Sequence, residues 1–284
     1  MNSRVRVAGL IALLDPQWRA KIFRGGLVLL IPIIGWPAVM GYRARFVRHL
    51  FANEPTPLPE WRGEFRRHFV EGLRAMGVVF GYLAPLYVAL FALVTSRGFV
   101  PDSSTLAWTA GFVAIPILST LSFPTACVLL AMAIERWISP VEAIAFIAAF
   151  AAVVFVIPAG FCQVSRTGRY RDAFALGAAL RLIARHPRTY LAAWWHSSVM
   201  SLAGHFALSL APWGVVWCYL GILVLFNAIL LDDGAVPRQG WLQRALDDPR
   251  LARTAGVAVR DANGEVVRVI ELGEYAAPLP RWVG

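Results

Sequence analysis

The hydrophobic positions of this chain form long uninterrupted blocks rather than an alternating pattern. Five blocks contain no Lys, Arg, Asp or Glu, and they cover residues 25–42, 75–96, 103–134, 143–165 and 189–231. A helix that crosses a bilayer needs roughly 20 apolar residues, whereas the strands of a membrane barrel alternate between apolar and polar positions. Because only helices and closed barrels satisfy their backbone groups in lipid, the blocks predict an all-α integral membrane protein.

Three of the blocks predict plain membrane crossings. The block at 189–231 contains 43 residues and is divided by the turn sequence Ala211-Pro212-Trp213-Gly214, which has no basic residue. This block is therefore long enough for two crossings. The four predicted full crossings are 75–96, 103–134, about 189–210 and about 213–231.

The blocks at 25–42 and 143–165 each carry a proline and a glycine that would interrupt a helix. Pro32 and Gly35 lie in the first of these blocks, and Pro158 and Gly160 lie in the second. A proline inside a helix lacks a backbone donor and clashes with the preceding turn. We therefore predict two broken helices. Each either re-enters the membrane and returns to its starting side or crosses as a kinked helix, and the sequence leaves both alternatives open.

The charged residues predict the orientation of these elements. The net charge is +10, and residues 1–231 carry 20 Lys and Arg against 9 Asp and Glu, whereas the tail 232–284 carries 7 against 8. Basic residues beside membrane segments favour the cytoplasm, so we predict an inner-membrane protein with both termini cytoplasmic. If both broken helices return, the cytoplasmic segments are 1–24, 43–74, 135–142, 166–188 and the tail, and only 97–102 and 211–214 lie outside.

The order of elements occurs twice along the chain. VLLIPIIG at 28–35 resembles VVFVIPAG at 153–160, and WRGEF at 61–65 resembles YRDAF at 170–174. In each half of the chain, the broken block is followed by a basic segment and then by two apolar blocks. This shared order predicts two pseudo-repeats. The predicted division is an interfacial N-terminal segment 1–24, a membrane domain 25–231 with halves of about 25–134 and 139–231, and a soluble cytoplasmic tail 232–284.

Short basic amphipathic helices are predicted at the membrane surface. Asp15-Pro16 is typical of a helix start, and Trp18 and Ile22 then follow on one face while Lys21 lies on another. This pattern indicates a helix that lies in the interface with its charges in water.

Two further signals concern the loops and the tail. The PLPEW sequence at 57–61 predicts a rigid extended segment that places Trp61 at the level of the lipid headgroups. In the tail, Asn263-Gly264 lies between valine-rich arms and predicts a β-hairpin over 255–272.

The sequence contains no motif for catalysis. We find no HExxH, GxSxG, P-loop or GxGxxG motif and no Cys/His spacing of a metal site, so we predict no enzyme activity, no cofactor and no metal. His196 and His205 are the only ionisable side chains inside the last block. Nine residues separate them, which places them on opposite faces of one helix. Structural packing is the expected role, with a cavity or proton-linked role as the alternative.

Several pieces of the chain together resemble a known family. DPQWRAKIF is followed in order by LIPIIG, GYRAR, PLPEW and FVEGLRA, and the later GRYRDAFALGAALRLIARHPRTYL continues the pattern. Over about residues 12–230 the chain resembles an uncharacterised bacterial and archaeal membrane family, the DUF4013 family. The resemblance implies an integral membrane protein and no established activity or catalytic residue.

Two hypotheses for function follow. The first is a non-enzymatic membrane scaffold, lipid-interacting protein or accessory subunit at the cytoplasmic leaflet, whose partners are anionic lipids and a second copy or another membrane subunit, but not nucleic acid. The residues expected to contact headgroups or a partner are Arg43, Arg45, Arg48, Arg66, Arg67, Arg181 and Arg185. The alternative is a small transporter or lipid-handling module with a cavity between the two broken helices. The residues expected to line it are Pro32, Gly35, Pro158, Gly160, His196 and His205.

Overall fold

A computed structural model describes residues 2–52, 54–98, 100, 103, 138–208, 212–236, 240–247, 256–260 and 266–271. The helices are α1 (Asn2–Leu10), α2 (Trp18–Leu29), α3 (Gly35–Phe51), α4 (Phe65–Ser96), α5 (Pro140–Thr167), α6 (Leu176–Arg185), α7 (Pro187–Leu208), α8 (Pro212–Asp232) and α9 (Trp241–Asp247). Two 3₁₀ turns cover Ile11–Leu14 and Tyr170–Phe174. Two short strands, β1 (Gly256–Arg260) and β2 (Val266–Glu271), pair antiparallel.

Three of the described helices have the length and composition of membrane-crossing helices, namely α4, α5 and α8. Little of the apolar stretch of α4 and α5 is buried inside the protein, whereas most of that of α8 is buried. Helix α4 is 32 residues long and unites two elements that the sequence predicted separately, a surface helix and the first crossing. The predicted class, a helical membrane protein, is confirmed at this level.

The first predicted broken helix is broken in the structure. Helix α2 ends at Leu29 and α3 begins at Gly35, and between them the β-branched Ile33 has a left-handed φ of 63°, which is rare for such a side chain. Gly35 packs so closely on α2 that a Cβ there would lie 2.7 Å from the carbonyl oxygen of Val28. Helices α2 and α3 therefore form a hairpin whose turn contains Pro32.

Helices α3 and α4 cross at two glycines. A Cβ on Gly41 would lie 1.6 Å from the carbonyl oxygen of His68, and one on Gly72 would lie 1.5 Å from that of Pro37. No side chain fits at either position without separating the helices, so only glycine permits this approach. The hairpin is thereby fixed against the first turns of α4.

Of the two alternatives left open for 143–165, the broken helix that re-enters and returns is not observed. Helix α5 runs without interruption from Pro140 to Thr167 through Pro158. An interior proline removes one backbone donor, and neighbouring packing compensates for that loss in helices of membrane proteins. The kinked alternative of the same prediction stays open.

The start of α5 confirms a smaller prediction and corrects a larger one. Ser139 and Glu142 form a capping box, as the SPVE sequence predicts. Glu142 also accepts a hydrogen bond of 2.8 Å from Arg97, directly after α4. The charge pattern predicts that 97–102 and 135–142 lie on opposite sides of the membrane. The ion pair instead joins Arg97 and Glu142 at one end of the antiparallel pair α4 and α5.

The main core lies where α1, α2 and α3 pack on α8. The Arg4 guanidinium lies 2.6 Å from the Asp232 carboxylate, and Trp217 donates a hydrogen bond of 3.0 Å to the carbonyl of Gly9. Much of the segment 1–24, predicted to lie at the membrane surface, thus packs along α8. Its position relative to a membrane stays a prediction.

The C-terminal region packs on the first half through α9. Trp241 donates a hydrogen bond of 2.7 Å to the carbonyl of Glu54. The predicted crossing at 103–134 (apart from Ser103), the residues 209–211 and the turn Asn263-Gly264 lie outside the described residues. A docked hairpin in the tail therefore stays a prediction.

Candidate functional site: a buried charge cluster beneath the PLPEW loop

The loop between α3 and α4 passes over the start of α2. Its residues 55–61 read PTPLPEW, and each residue before a proline is held away from helical geometry, so the loop is extended. Leu58 is fully buried and Trp61 is 5% exposed. The loop is therefore part of the core rather than a free connection.

A buried ion pair lies directly beneath this loop. The side chains of Lys21 and Asp15 are 1% and 0% exposed, and Nζ lies 2.8 Å from Oδ2. Asp15 also accepts backbone hydrogen bonds from Gln17 at 2.8 Å and from Leu58 at 3.2 Å, and Lys21 donates to the carbonyl of Leu58 at 2.9 Å. Buried charges require such compensation, so the loop backbone and the pair stabilise each other.

A second carboxylate completes the cluster. Glu60 Oε1 lies 2.7 Å from Lys21 Nζ, and its side chain is 49% exposed. Thr56 lies within 3.4 Å of the same ammonium group and donates to the carbonyl of Leu58. One cation thus faces one buried and one solvated carboxylate, and the solvated one can lose its partner at little cost.

Trp61 connects the two helices of the hairpin. Its Nε1 donates a hydrogen bond of 2.9 Å to the carbonyl of Lys21 on α2. Its ring stacks on Tyr42 of α3, with centroids 4.4 Å apart, and meets the His68 ring edge-on at 5.1 Å. Because Lys21 and Tyr42 contact the same ring, α2 and α3 lie side by side here and run antiparallel around their turn.

Two histidines hold the loop from the other side. His68 Nε2 lies 2.8 Å from the carbonyl oxygen of Glu60, and His49 Nδ1 lies 3.0 Å from that of Thr56. Burial lowers the pKa of His49, so its neutral ring donates the Nδ1 proton at neutral pH. Both histidines thus contact the loop backbone.

This arrangement is suited to holding a loop and a hairpin in place. The ammonium of Lys21 is fully engaged by carboxylate and carbonyl oxygens. Within the part of the chain that the structure describes, no three His, Cys, Asp or Glu side chains come close enough to hold a metal ion. The cluster is an anchor for the segments around it.

Comparison with known proteins identifies the family of the chain. Residues 25–213 match a family model described as a protein of unknown function, DUF4013. The chain belongs to the DUF4013 family. No curated protein and no solved structure matches it. The DUF4013 region includes Tyr42 and Trp61, whereas Asp15 and Lys21 precede it, so the cluster joins the family region to the N-terminal helices.

Five of the seven predicted contact arginines of this DUF4013 protein have partners inside the protein. Arg43 stacks on Tyr219 with its guanidinium 4.5 Å from the ring centroid. The other four form ion pairs with nearby carboxylates, and those pairs are Arg45–Glu64, Arg48–Glu71, Arg67–Glu64 and Arg185–Asp233.

The remaining two predicted arginines, Arg66 and Arg181, are exposed. Neither forms an ion pair with a described residue. Arg181 lies on α6 next to Leu176 and Leu180, each of which is 52% exposed. Of the seven predicted arginines, these two are therefore the most available to an external anion.

The predicted cavity residues are not brought together. Pro32 is exposed on the hairpin turn, and Gly35 packs on α2. Gly160 lies elsewhere, where a Cβ would be 2.7 Å from the Tyr82 hydroxyl and 2.8 Å from the carbonyl oxygen of Ala173. The space beside Gly160 is filled by these two groups. Pro158 lies in the same continuous helix as Gly160.

The histidines of the last block are described in part. His196 is half-buried, and its Nε2 has no hydrogen-bond partner among the described residues. The side chain of His205 lies outside the described residues. Ser197 and Ser198 both donate to the carbonyl of Trp194 in their own helix.

The charge cluster itself was not predicted from the sequence. Hydrophobic periodicity assigned Lys21 to a solvated face and Trp61 to the headgroup level. The signal that could have found the cluster is the joint presence of Asp15-Pro16, a lysine six residues later and PLPEW among the family-like pieces.

Proposed function

We propose that this DUF4013 protein is a non-enzymatic membrane scaffold that binds anionic lipids at the cytoplasmic leaflet of the inner membrane. The observation behind the proposal is the exposed apolar and basic surface of α6 and of the turn before it. Phe174, Leu176 and Leu180 are about half exposed, and Arg181 is exposed beside them. A short helix with an apolar face and basic flanks is typical of one that lies in a membrane interface.

A membrane arrangement with all basic clusters on one side supports this proposal. Arg97 and Glu142 join the far ends of α4 and α5, and His186 lies 3.3 Å from Asp233 where α7 begins and α8 ends. We therefore infer that α4 and α5 form an antiparallel pair of crossings, whose other ends lie on the cytoplasmic side together with both termini.

The hairpin turn contributes to the same role. Leu30, Ile31, Ile33 and Ile34 are all exposed, with Ile33 at 69%. Such a concentration of apolar side chains at a tip is suited to insertion between lipid chains, while the charge cluster holds the opposite end of the hairpin. The transporter alternative has no comparable support among the described residues, since Gly160 is close-packed.

The test is the retention of phosphatidylglycerol by the purified protein in detergent, measured by native mass spectrometry against phosphatidylcholine. The double variant Arg66→Gln with Arg181→Gln should lower phosphatidylglycerol binding by roughly fivefold per arginine and leave phosphatidylcholine unchanged. The control is Arg166→Gln with Arg169→Gln, which removes the same charge from exposed positions at the end of α5. An equal loss in the control would show that net charge alone binds the lipid and would overturn the assignment.

A further inference from the structure

An open groove lies between α2 and the start of α8. Its volume is about 590 Å³, within the range of roughly 300–1,000 Å³ typical of ligand sites. The described residues that form it are almost all apolar, and the larger ones are Trp18, Ile22, Phe23, Trp213 and Trp217.

Aromatic pairs form the walls of this groove. Trp18 and Trp217 meet edge-on with centroids 5.0 Å apart, and Phe23 and Trp213 lie 5.4 Å apart. The helices approach closely at Gly26, where a Cβ would lie 2.7 Å from the backbone nitrogen of Trp213. The walls are therefore rigid, and the groove is part of the fold rather than a gap between loose side chains.

The groove opens onto an apolar surface and has one charge at its rim. Phe23, Leu27 and Trp213 are between 40% and 48% exposed, so the apolar surface continues past its edge. Arg19 is the one charged residue among those that form the groove, and its guanidinium lies 5.4 Å from the Trp18 ring centroid. The exposed guanidinium can meet an anion while the aromatic walls cover a hydrocarbon chain.

We propose that this groove binds one acyl chain of an anionic phospholipid, with Arg19 against the headgroup phosphate. The inference rests on the proposed function and assigns it a specific site, distinct from Arg66 and Arg181. An apolar groove with a single exposed cation among the residues that form it matches the division of a phospholipid into chain and phosphate. It matches a soluble polar ligand poorly, because the walls offer few polar partners.

The test uses two variants that act on different parts of the lipid. Ala20 lines the groove and is exposed, so Ala20→Phe should fill the groove without disturbing the core. Arg19→Gln removes only the charge. The measurement is native mass spectrometry of the full chain in detergent with equimolar phosphatidylglycerol and phosphatidylcholine.

The groove predicts a different result for each variant. Ala20→Phe should remove one bound lipid of either headgroup, whereas Arg19→Gln should lower phosphatidylglycerol alone, by roughly fivefold. The matched controls are Ala145→Phe on the exposed face of α5 and Arg24→Gln on α2, which is exposed but does not line the groove. Neither control should change binding.

The outcomes separate this inference from the proposed function. If the Arg66 and Arg181 variant loses phosphatidylglycerol while Ala20→Phe and Arg19→Gln bind like the wild type, the groove assignment is overturned and the scaffold proposal stands. If only the groove variants lose lipid, the groove assignment is supported and the proposed role of Arg66 and Arg181 is overturned. Equal losses in Arg24→Gln and Arg19→Gln would also overturn the groove, since position on the rim would then not matter.

Discussion

Replacing Lys21 by methionine tests whether the buried charge cluster holds the fold together. Methionine keeps the length of the side chain and removes its charge, which leaves Asp15 as a buried carboxylate without a cation. Glu60 is half exposed and can be solvated by water, so the cost comes from Asp15. Breaking a buried ion pair by removing one partner costs about 3–5 kcal/mol.

The lower end of this range is expected here. Asp15 keeps two backbone donors, from Gln17 and Leu58, which continue to stabilise its negative charge. A loss of about 3 kcal/mol in the free energy of unfolding corresponds to a fall in Tm of roughly 6–12 °C for a chain of this size. The assay is thermal unfolding in detergent, followed by tryptophan fluorescence.

Two further variants make the result interpretable. Arg24→Met removes an exposed charge from the same helix and should change stability by no more than about 0.5 kcal/mol. The double variant Asp15→Asn with Lys21→Met replaces the pair by neutral groups, so it should be more stable than Lys21→Met alone. If Lys21→Met had the same Tm as Arg24→Met, or if adding Asp15→Asn lowered the Tm further, the buried pair would not stabilise the fold in this way.

Three other predictions concern helix packing, pH and topology. Gly72→Ala should destabilise the protein by about 3 kcal/mol, because its Cβ would meet the carbonyl oxygen of Pro37. The control Gly77→Ala places its Cβ in open space and should raise stability by about 0.5–1 kcal/mol. Equal Tm values for the two variants would contradict the close crossing of α3 and α4. The hydrogen bond from Arg45 lowers the pKa of Glu64, so its contribution is present above its ordinary pKa and is lost as the pH falls through the folded value. The Tm should therefore decrease less steeply between pH 6 and pH 3 in Glu64→Gln than in the wild type. Equal slopes would contradict a stabilising Arg45–Glu64 pair. In a variant without native cysteines, Val100→Cys and Val141→Cys should react from the same side of the membrane with an impermeant reagent, and labelling from opposite sides would contradict the α4–α5 pair.

Local signals predicted several features of this fold correctly. The length of uncharged blocks identified membrane-type helices, because a spanning helix must be apolar over its whole length. Pro32 and Gly35 marked a real break, and Ser139 with Glu142 marked a real cap. These features depend on residues within about one helical turn, so the chain alone contains the information.

Other features depend on partners far away in the chain, and only the tertiary structure decided them. Pro32 and Pro158 look alike in sequence, yet one lies in a turn and the other inside a continuous helix, where Tyr190 and Trp194 of α7 donate hydrogen bonds to the carbonyl of Phe155 in the preceding turn. Lys21 reads as a solvated charge until Asp15 and the PLPEW loop enclose it. Composition and periodicity thus determined the class of protein and most of its helices, while the buried cluster, the glycine crossing and the apolar groove arose from contacts between distant segments.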